Sequence, residues 1–375
     1  ECDKVPYPER FLRMLVQATG VREEDVLVFS THVHTAPVCG IRPDEPINSV
    51  EKRSAPEKES ENRYVDFLLE QTRQAAQEAV SSLQPARVGW HEGTSSINVN
   101  RVQDYYVELP DGTNGLVTAP GFNPEGPVDR ALFVMRVETL DGDPIAFFLN
   151  YAVHNVVLIG GDSDTKGGLP ISSDLAGEVC AMLEDRFPGA VALWCSGAAG
   201  DVNPIWFNEY TYPDEKTGMP THAQANGMDS PLLALQVLSR RHYADVLRVL
   251  RSITCTEVAL HGSSIRWIRT PGGVCTGEDH GDPVFQTEGT PPYEIRTQML
   301  LLGDIAFCGF SGELYTTLGW KVKAAVRQAH AVVINHNLSL LANSGYIFDD
   351  ETIHRMESSV CKVHIPGYGK ASHIL

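Results

Sequence analysis

Short apolar runs that stop abruptly constrain this chain most. VLVF (26–29), ALFVMRVE (131–138), IAFFLNY (145–151), AVALW (190–194) and IAFCGF (305–310) are four to eight residues long and rich in β-branched and aromatic side chains. That length and composition describe strands buried in a sheet. Between them apolar residues recur at helical spacing: Phe11, Leu12, Leu15 and Val16 in 8–19, Val65, Leu68, Leu69, Thr72, Ala76, Ala79 and Leu83 in 61–83, a segment capped by Ser173 or Asp174 and running to about Phe187, and Leu232, Leu235, Leu238, Tyr243, Val246, Val249 and Leu250 in 230–253. Pro8 suits a first helical turn, Gly20 a helix end, and Pro85 and Pro188-Gly189 are stops. The alternation predicts an α/β fold.

Several of these strands run into residues that can do chemistry. The first enters Ser30-Thr31-His32-Val33-His34-Thr35 before Pro37 stops it. In an extended chain His32 and His34 face one side, which suits a metal ligand with a neighbouring acid/base group. Two histidines satisfied at a strand end is the competing reading, and this stretch alone leaves both open. IAFFLNYAVH repeats the pattern and ends at His154; IAFCGFSGE ends at Glu313, where a strand hands over to a helix. A helix N-terminus keeps such a carboxylate ionised, and simple capping is the alternative role. The small residues of CSGAAGDVNP (195–204) let backbone approach backbone or a ligand.

The remaining segments read as connections. They are a polar loop over 38–60, a strand near 87–92, a polar turn over 95–101, an irregular Gly/Pro-rich stretch over 103–128, and a hairpin turn at Asp141-Gly142. A Gly/Asp loop covers 159–172, a polar loop 205–225, an extended segment 256–269, and a long loop 271–292 carrying Cys275 and His280. Strands 297–302 and 305–310 pair about Gly303-Asp304, a helix follows Glu313 to about His330, and 337–342 is a last strand leading into Asn343-Ser344-Gly345-Tyr346. His242, inside a helix, reads as a surface or core residue rather than a ligand. No internal repeat is evident.

With 30 basic and 48 acidic residues the net charge is −18, which argues against a nucleic-acid partner. No apolar run reaches the roughly 18 residues of a membrane span, and the opening residues do not read as a signal peptide. Eight cysteines without a C-x-x-C pair read mostly as reduced core residues, so a cytoplasmic site is expected, with secretion the alternative if a leader lies upstream.

The order and spacing of several blocks resemble the catalytic domain of the neutral/alkaline, non-lysosomal ceramidase family. The blocks are THVHTAP, Asn100-Arg101, GPVDRALFVMRVE, NYAVH, ISSDLAG, GAAGDVNP, SGELYTTLG and LANSGY. The resemblance implies an α/β fold of layered mixed β-sheets flanked by helices. It also implies a hydrolase with one zinc ion, held by His32, His154, Glu313 and Tyr346. It points to His34 and Arg101 as catalytic groups and to Asn100, Asp174, Asp201 and Asn203 on the substrate side. Asn203 stands where the family's block has a serine, which favours metal-activated water over a serine acyl-enzyme. The sequence ends about where the family's C-terminal immunoglobulin-like domain begins, and its first helix expects a strand upstream. Because candidate ligands come from the first and last thirds alike, one catalytic domain over 1–375 is expected.

The implied activity is zinc-dependent hydrolysis of an amide in a small-molecule N-acyl compound, ceramide-like or smaller. The alternatives are another bond, such as an ester or a sugar N-acyl group, and a binding protein with a decayed site. The loops that would shape substrate choice are not readable from spacing.

Overall fold

The computed structural model describes residues 5–37, 55–108, 112–158, 171–207, 209–224, 229–270, 272–276, 284–286, 293–327, 329–338, 345–352 and 372–374. Helix α1 (Pro8–Thr19) ends where Gly20, at φ 71°, donates its N–H to the Val16 carbonyl. Helix α2 spans Ala55–Ser81, so 55–60 are helix rather than loop, while 38–54 lie outside the described residues. Strands β1 (Ala86–Thr94), β2 (Asn98–Glu108) and β3 (Asn114–Asn123) follow. Here the sequence reading is corrected: 95–101 and 103–128 hold two long antiparallel strands. Their inward residues Tyr105, Val107, Val117 and Ala119 form a small apolar cluster. Pro120 is tolerated because β3 is an edge strand.

Strands β4 (Ala131–Thr139) and β5 (Pro144–Tyr151) form the expected hairpin, with Gly142 at φ 96° in its turn. Next come α3 (Asp174–Arg186), β6 (Val191–Ser196), β7 (Val202–Pro204), the hairpin β8 (Glu209–Pro213) and β9 (Pro220–Gln224) inside the expected polar loop, and α4 (Asp229–Leu250). Strands β10 (Leu260–Thr270), β11 (Gly272–Thr276), β12 (Val284–Gln286), β13 (Tyr293–Leu302), β14 (Ile305–Phe310) and β15 (Glu313–Leu314) lead to α5 (Thr316–Ala325). The expected long loop thus contains two short strands. Helix α5 stops at Ala325, and His330 opens β16 (His330–Ile334) instead of closing the helix. Strands β17 (Tyr346–Phe348) and β18 (Ser372–Ile374) complete the order. Of the strand expected over 337–342, Asn337 makes an isolated bridge to Phe29; 339–344 lie outside the described residues, as do 159–170 and His280.

Two four-stranded mixed sheets carry the core, β1-β4-β5-β6 and β10-β13-β14-β16. Each has two antiparallel pairings followed by a parallel one. Parallel neighbours need a crossover, supplied by α3 in the first sheet and α5 in the second. Strand β5 is apolar on both faces because it is covered on both. Phe147, Leu149 and Tyr151 pack with Leu175, Val179 and Leu183 of α3 and with Leu238, Val246 and Val249 of α4. Phe148 faces the other way, into a cluster with Phe133, Cys195, Ile305, Phe307, Val332 and Ile334 from both sheets. On the far side of the second sheet, Ala306, Cys308 and Ala331 pack under Val322 of α5. The order is helices, sheet, sheet, helix, which is the layered arrangement of mixed sheets flanked by helices. Asn150 ties the sheets together, its amide donating to the Val333 carbonyl at 2.9 Å. None of the cysteines with described side chains, Cys180, Cys195, Cys255 and Cys308, is in a disulfide. No described helix is long and apolar enough to cross a membrane.

Candidate metal centre

The C-terminal ends of the central strands of both sheets meet at one place. Strand β5 ends at Tyr151 and β14 at Phe310; His154 and Glu313 each stand three residues further on. Glu313 then pairs in parallel with Tyr346 through β15 and β17, its N–H donating to the Gly345 carbonyl. That two-residue ladder delivers the tyrosine. The opening stretch arrives differently from the sequence reading. Residues 26–34 are not a regular strand: they hold only isolated bridges, Phe29 to Asn337 and Val33 to Asn155. His32 adopts φ 56°, so the alternation rule does not set its direction. Its Nε2 nevertheless lies 3.1 Å from that of His34; His32 is buried and His34 exposed.

The donor atoms converge. His154 Nε2 is 3.2 Å from Glu313 Oε2, His32 Nε2 is 3.5 Å from the same oxygen, and the Tyr346 hydroxyl is 3.4 Å from His154 Nε2. A tetrahedral ion with ligand bonds of about 2.0–2.2 Å sets its ligand atoms about 3.3–3.6 Å apart. These three spacings suit one metal ion, and two imidazoles, a carboxylate and a phenol are donors it can take; His32 also forms candidate groups with His34 and His154 and with Glu313 and His336.

The protonation pattern fits as well. His154 Nδ1 lies 3.0 Å from the Val202 carbonyl, an acceptor, so Nδ1 carries the hydrogen and Nε2 presents its lone pair to the centre. Burial, with Arg101 adding to it, pulls the His154 pKa down to about 3, so the ring is neutral. For Glu313 burial acts upward, but the His32 and His154 imidazoles outweigh it and hold the carboxyl well below its ordinary range. Burial raises the Tyr346 hydroxyl, opposed by Arg101.

Arg101 is buried behind these donors. Its Nη2 donates to the Gly200 carbonyl at 2.7 Å and the Tyr346 hydroxyl at 2.9 Å, and lies 3.3 Å from His154 Nε2; its Nη1 donates to Asn203 Oδ1 at 3.2 Å. Asp201 accepts from the Thr316 N–H and hydroxyl, both at 2.8 Å, and from the Asn100 amide at 2.9 Å. It thereby holds the start of α5 against β2, and burial raises its pKa to about 6. Asp174 accepts from the backbone N–H groups of Val157, Leu158 and Leu175. The side chains of Asn100, Asp174, Asp201 and Asn203 all bond within the fold, and Asn100 and Asp201 also line a pocket with Tyr315 and Asp349. The small residues of 195–204 serve backbone packing: a Cβ on Gly200 would lie 2.7 Å from the Glu313 carbonyl oxygen.

One residue was missed. His336, buried and at φ 58°, stacks on His32 with ring centroids 4.0 Å apart, and offers a ligand atom in one group with His32 and Glu313. The signal was present: HAVVI is a β-branched run that ends just before Asn335-His336. Extending the preceding helix to His330 concealed it.

This layered arrangement of mixed sheets and helices is the fold of the neutral ceramidases. The neutral ceramidase from Pseudomonas aeruginosa matches with a TM-score of 0.60 at 15% identity, over 92% of this chain and 58% of that one. A ceramidase complexed with C2 matches with a TM-score of 0.59 at 14% identity, over 89% of this chain and 59% of that one. The chain thus spans less than two thirds of the length of these structures, and at such identity the likeness is one of fold. No family model matches the sequence, and no curated protein sequence matches it.

Proposed function

We propose that the protein is a zinc-dependent hydrolase that cleaves the amide of a small-molecule N-acyl compound, ceramide-like or smaller. The observation that carries this reading is the spacing of His32, His154, Glu313 and Tyr346, with the His154 lone pair turned inward by the Val202 carbonyl. Zinc held there would supply a Lewis acid for the scissile carbonyl and lower the pKa of a water nucleophile. Around it, the chain's own groups divide the work. Glu313 contributes the negative charge that favours a cation. Arg101 holds the Tyr346 hydroxyl and stands beside His154 Nε2, which makes it a positioning residue rather than a substrate contact. His34 is the exposed imidazole of the set and is suited to hand a proton from its ring nitrogen to the leaving amine.

The test is hydrolysis of an N-acyl panel, from short-chain amides and acetylated amino sugars to ceramide, with and without added zinc. Zinc-dependent turnover of at least one amide, abolished in Glu313→Gln, is expected. Failure of zinc-loaded protein to turn over any amide would overturn the amidase reading. Turnover with His34→Ala equal to wild type, zinc retained, would remove His34 from it.

A further inference from the structure

The donor cluster contains four imidazoles, one more than the two ligands and the proton donor just assigned require. His336 is the extra one. It follows β16, and its loop is tied on three sides: the Asn335 N–H donates to the Ser196 carbonyl at 3.0 Å, the His336 N–H to the Gly312 carbonyl at 3.1 Å, and the Asn337 N–H to the Phe310 carbonyl at 2.9 Å. His336 and His32 both adopt left-handed backbone, at φ 58° and 56°. Such a conformation costs of order 1–3 kcal/mol per non-glycine residue and persists where the surroundings impose it. Here the surroundings impose it on two histidines whose rings lie face to face.

The ring geometry separates a ligand from a support. An ion bound to an imidazole lies in the ring plane along the nitrogen lone pair. The rings of His32 and His154 are inclined at 67°, and their planes can meet at one ion. Those of His32 and His336 are inclined by 21°, with centroids 4.0 Å apart. Planes so nearly parallel do not meet within bonding reach of both nitrogens. His34 meets the His32 ring edge-on at 82°.

We propose that His336 is a positioning residue for the metal centre, its imidazole forming a flat platform that fixes the His32 ring with Nε2 toward Glu313, and that it is not itself a ligand. This rests on the zinc reading above. A platform behind a ligand acts on metal affinity, and groups that orient ligands are typically worth about 10–100-fold there.

The experiment measures zinc affinity by chelator competition, and zinc coordination by X-ray absorption, in wild type, His336→Phe, His336→Tyr and His336→Asn. Asparagine tolerates the left-handed backbone and removes the ring; the aromatic variants keep a ring and remove the imidazole nitrogens. Expected are a loss of about 10–100-fold for His336→Asn, affinity closer to wild type than to His336→Asn for at least one aromatic variant, and two imidazoles on zinc in wild type and in that variant. A third imidazole on zinc in wild type that His336→Phe and His336→Tyr lose, equal loss in all three variants, or undiminished affinity in His336→Asn would each overturn the proposal while leaving the zinc reading intact. Wild-type protein that takes up no zinc would overturn both.

Discussion

His154 donates its Nδ1–H to the Val202 carbonyl and faces Glu313, Tyr346 and Arg101 with Nε2. Fixing the tautomer in this way leaves the lone pair on the ring nitrogen that faces these groups. Glu313 supplies the charge, and Glu313→Gln keeps the shape without it. Zinc affinity in that variant should fall by more than the ~100-fold upper range for groups behind the ligands, as read by chelator competition; a smaller loss would remove Glu313 from the ligand set. His242 lies away from this site and is also fully buried, its Nδ1 2.8 Å from the Ser95 hydroxyl. Burial lowers its pKa from 6.5 to about 3. Between those values the unfolded chain binds a proton that the folded chain refuses, so stability falls as pH drops through the window and is unaffected above it. At pH 4.5 this one group costs about 2–3 kcal/mol. The drop in urea midpoint from pH 7 to 4.5 should therefore be smaller in His242→Phe than in wild type. Equal drops would show that His242 does not titrate this way.

At the level of elements, the turn between β6 and β7 sets the distance between the sheets' working ends. The Gly200 N–H donates to the Leu314 carbonyl at 2.9 Å, and an added Cβ would lie 2.7 Å from both the Glu313 carbonyl oxygen and the Tyr315 ring. Gly200→Ala should cost about 1–3 kcal/mol of stability and weaken zinc binding by displacing Glu313. Unchanged urea midpoint and zinc affinity would refute the close approach. Elements with strong local signals were legible in the sequence. α1 carries its proline start and glycine stop, and the β4–β5 hairpin carries Asp141-Gly142. His154 and Glu313 could be picked out because each follows an apolar strand. The β2–β3 hairpin was not legible, since Gly115, Pro120 and Gly121 break the visible alternation of an edge strand. The backbone of His32 was hidden for another reason. It is set by Asn155 and by residues 337–338, partners far away in the chain, and no local pattern encodes them.

Across the whole molecule the donors come from separate pieces: His32 from the opening segment, His154 from the first sheet, Glu313 and Tyr346 from the short ladder beyond the second. A ligand bridging them stabilises only the docked arrangement. Zinc at about 100 times its dissociation constant adds about 2.7 kcal/mol, so calorimetry should record a melting temperature several degrees higher with zinc than with chelator. Glu313→Gln should show much less of that rise. A metal-independent melting temperature in wild type would argue against a bridging ion.

The Phe29–Asn337 bridge, and the Leu338 N–H donating to the Val28 carbonyl, also have a consequence for biosynthesis. A ribosome adds about 5–20 residues per second, so roughly 15–60 seconds separate the appearance of His32 from that of Tyr346. For nearly all of that interval the nascent polypeptide has its first histidines but neither residues 337–338, which hold them, nor the last donor. The full set of four donors exists only after translation has passed Tyr346.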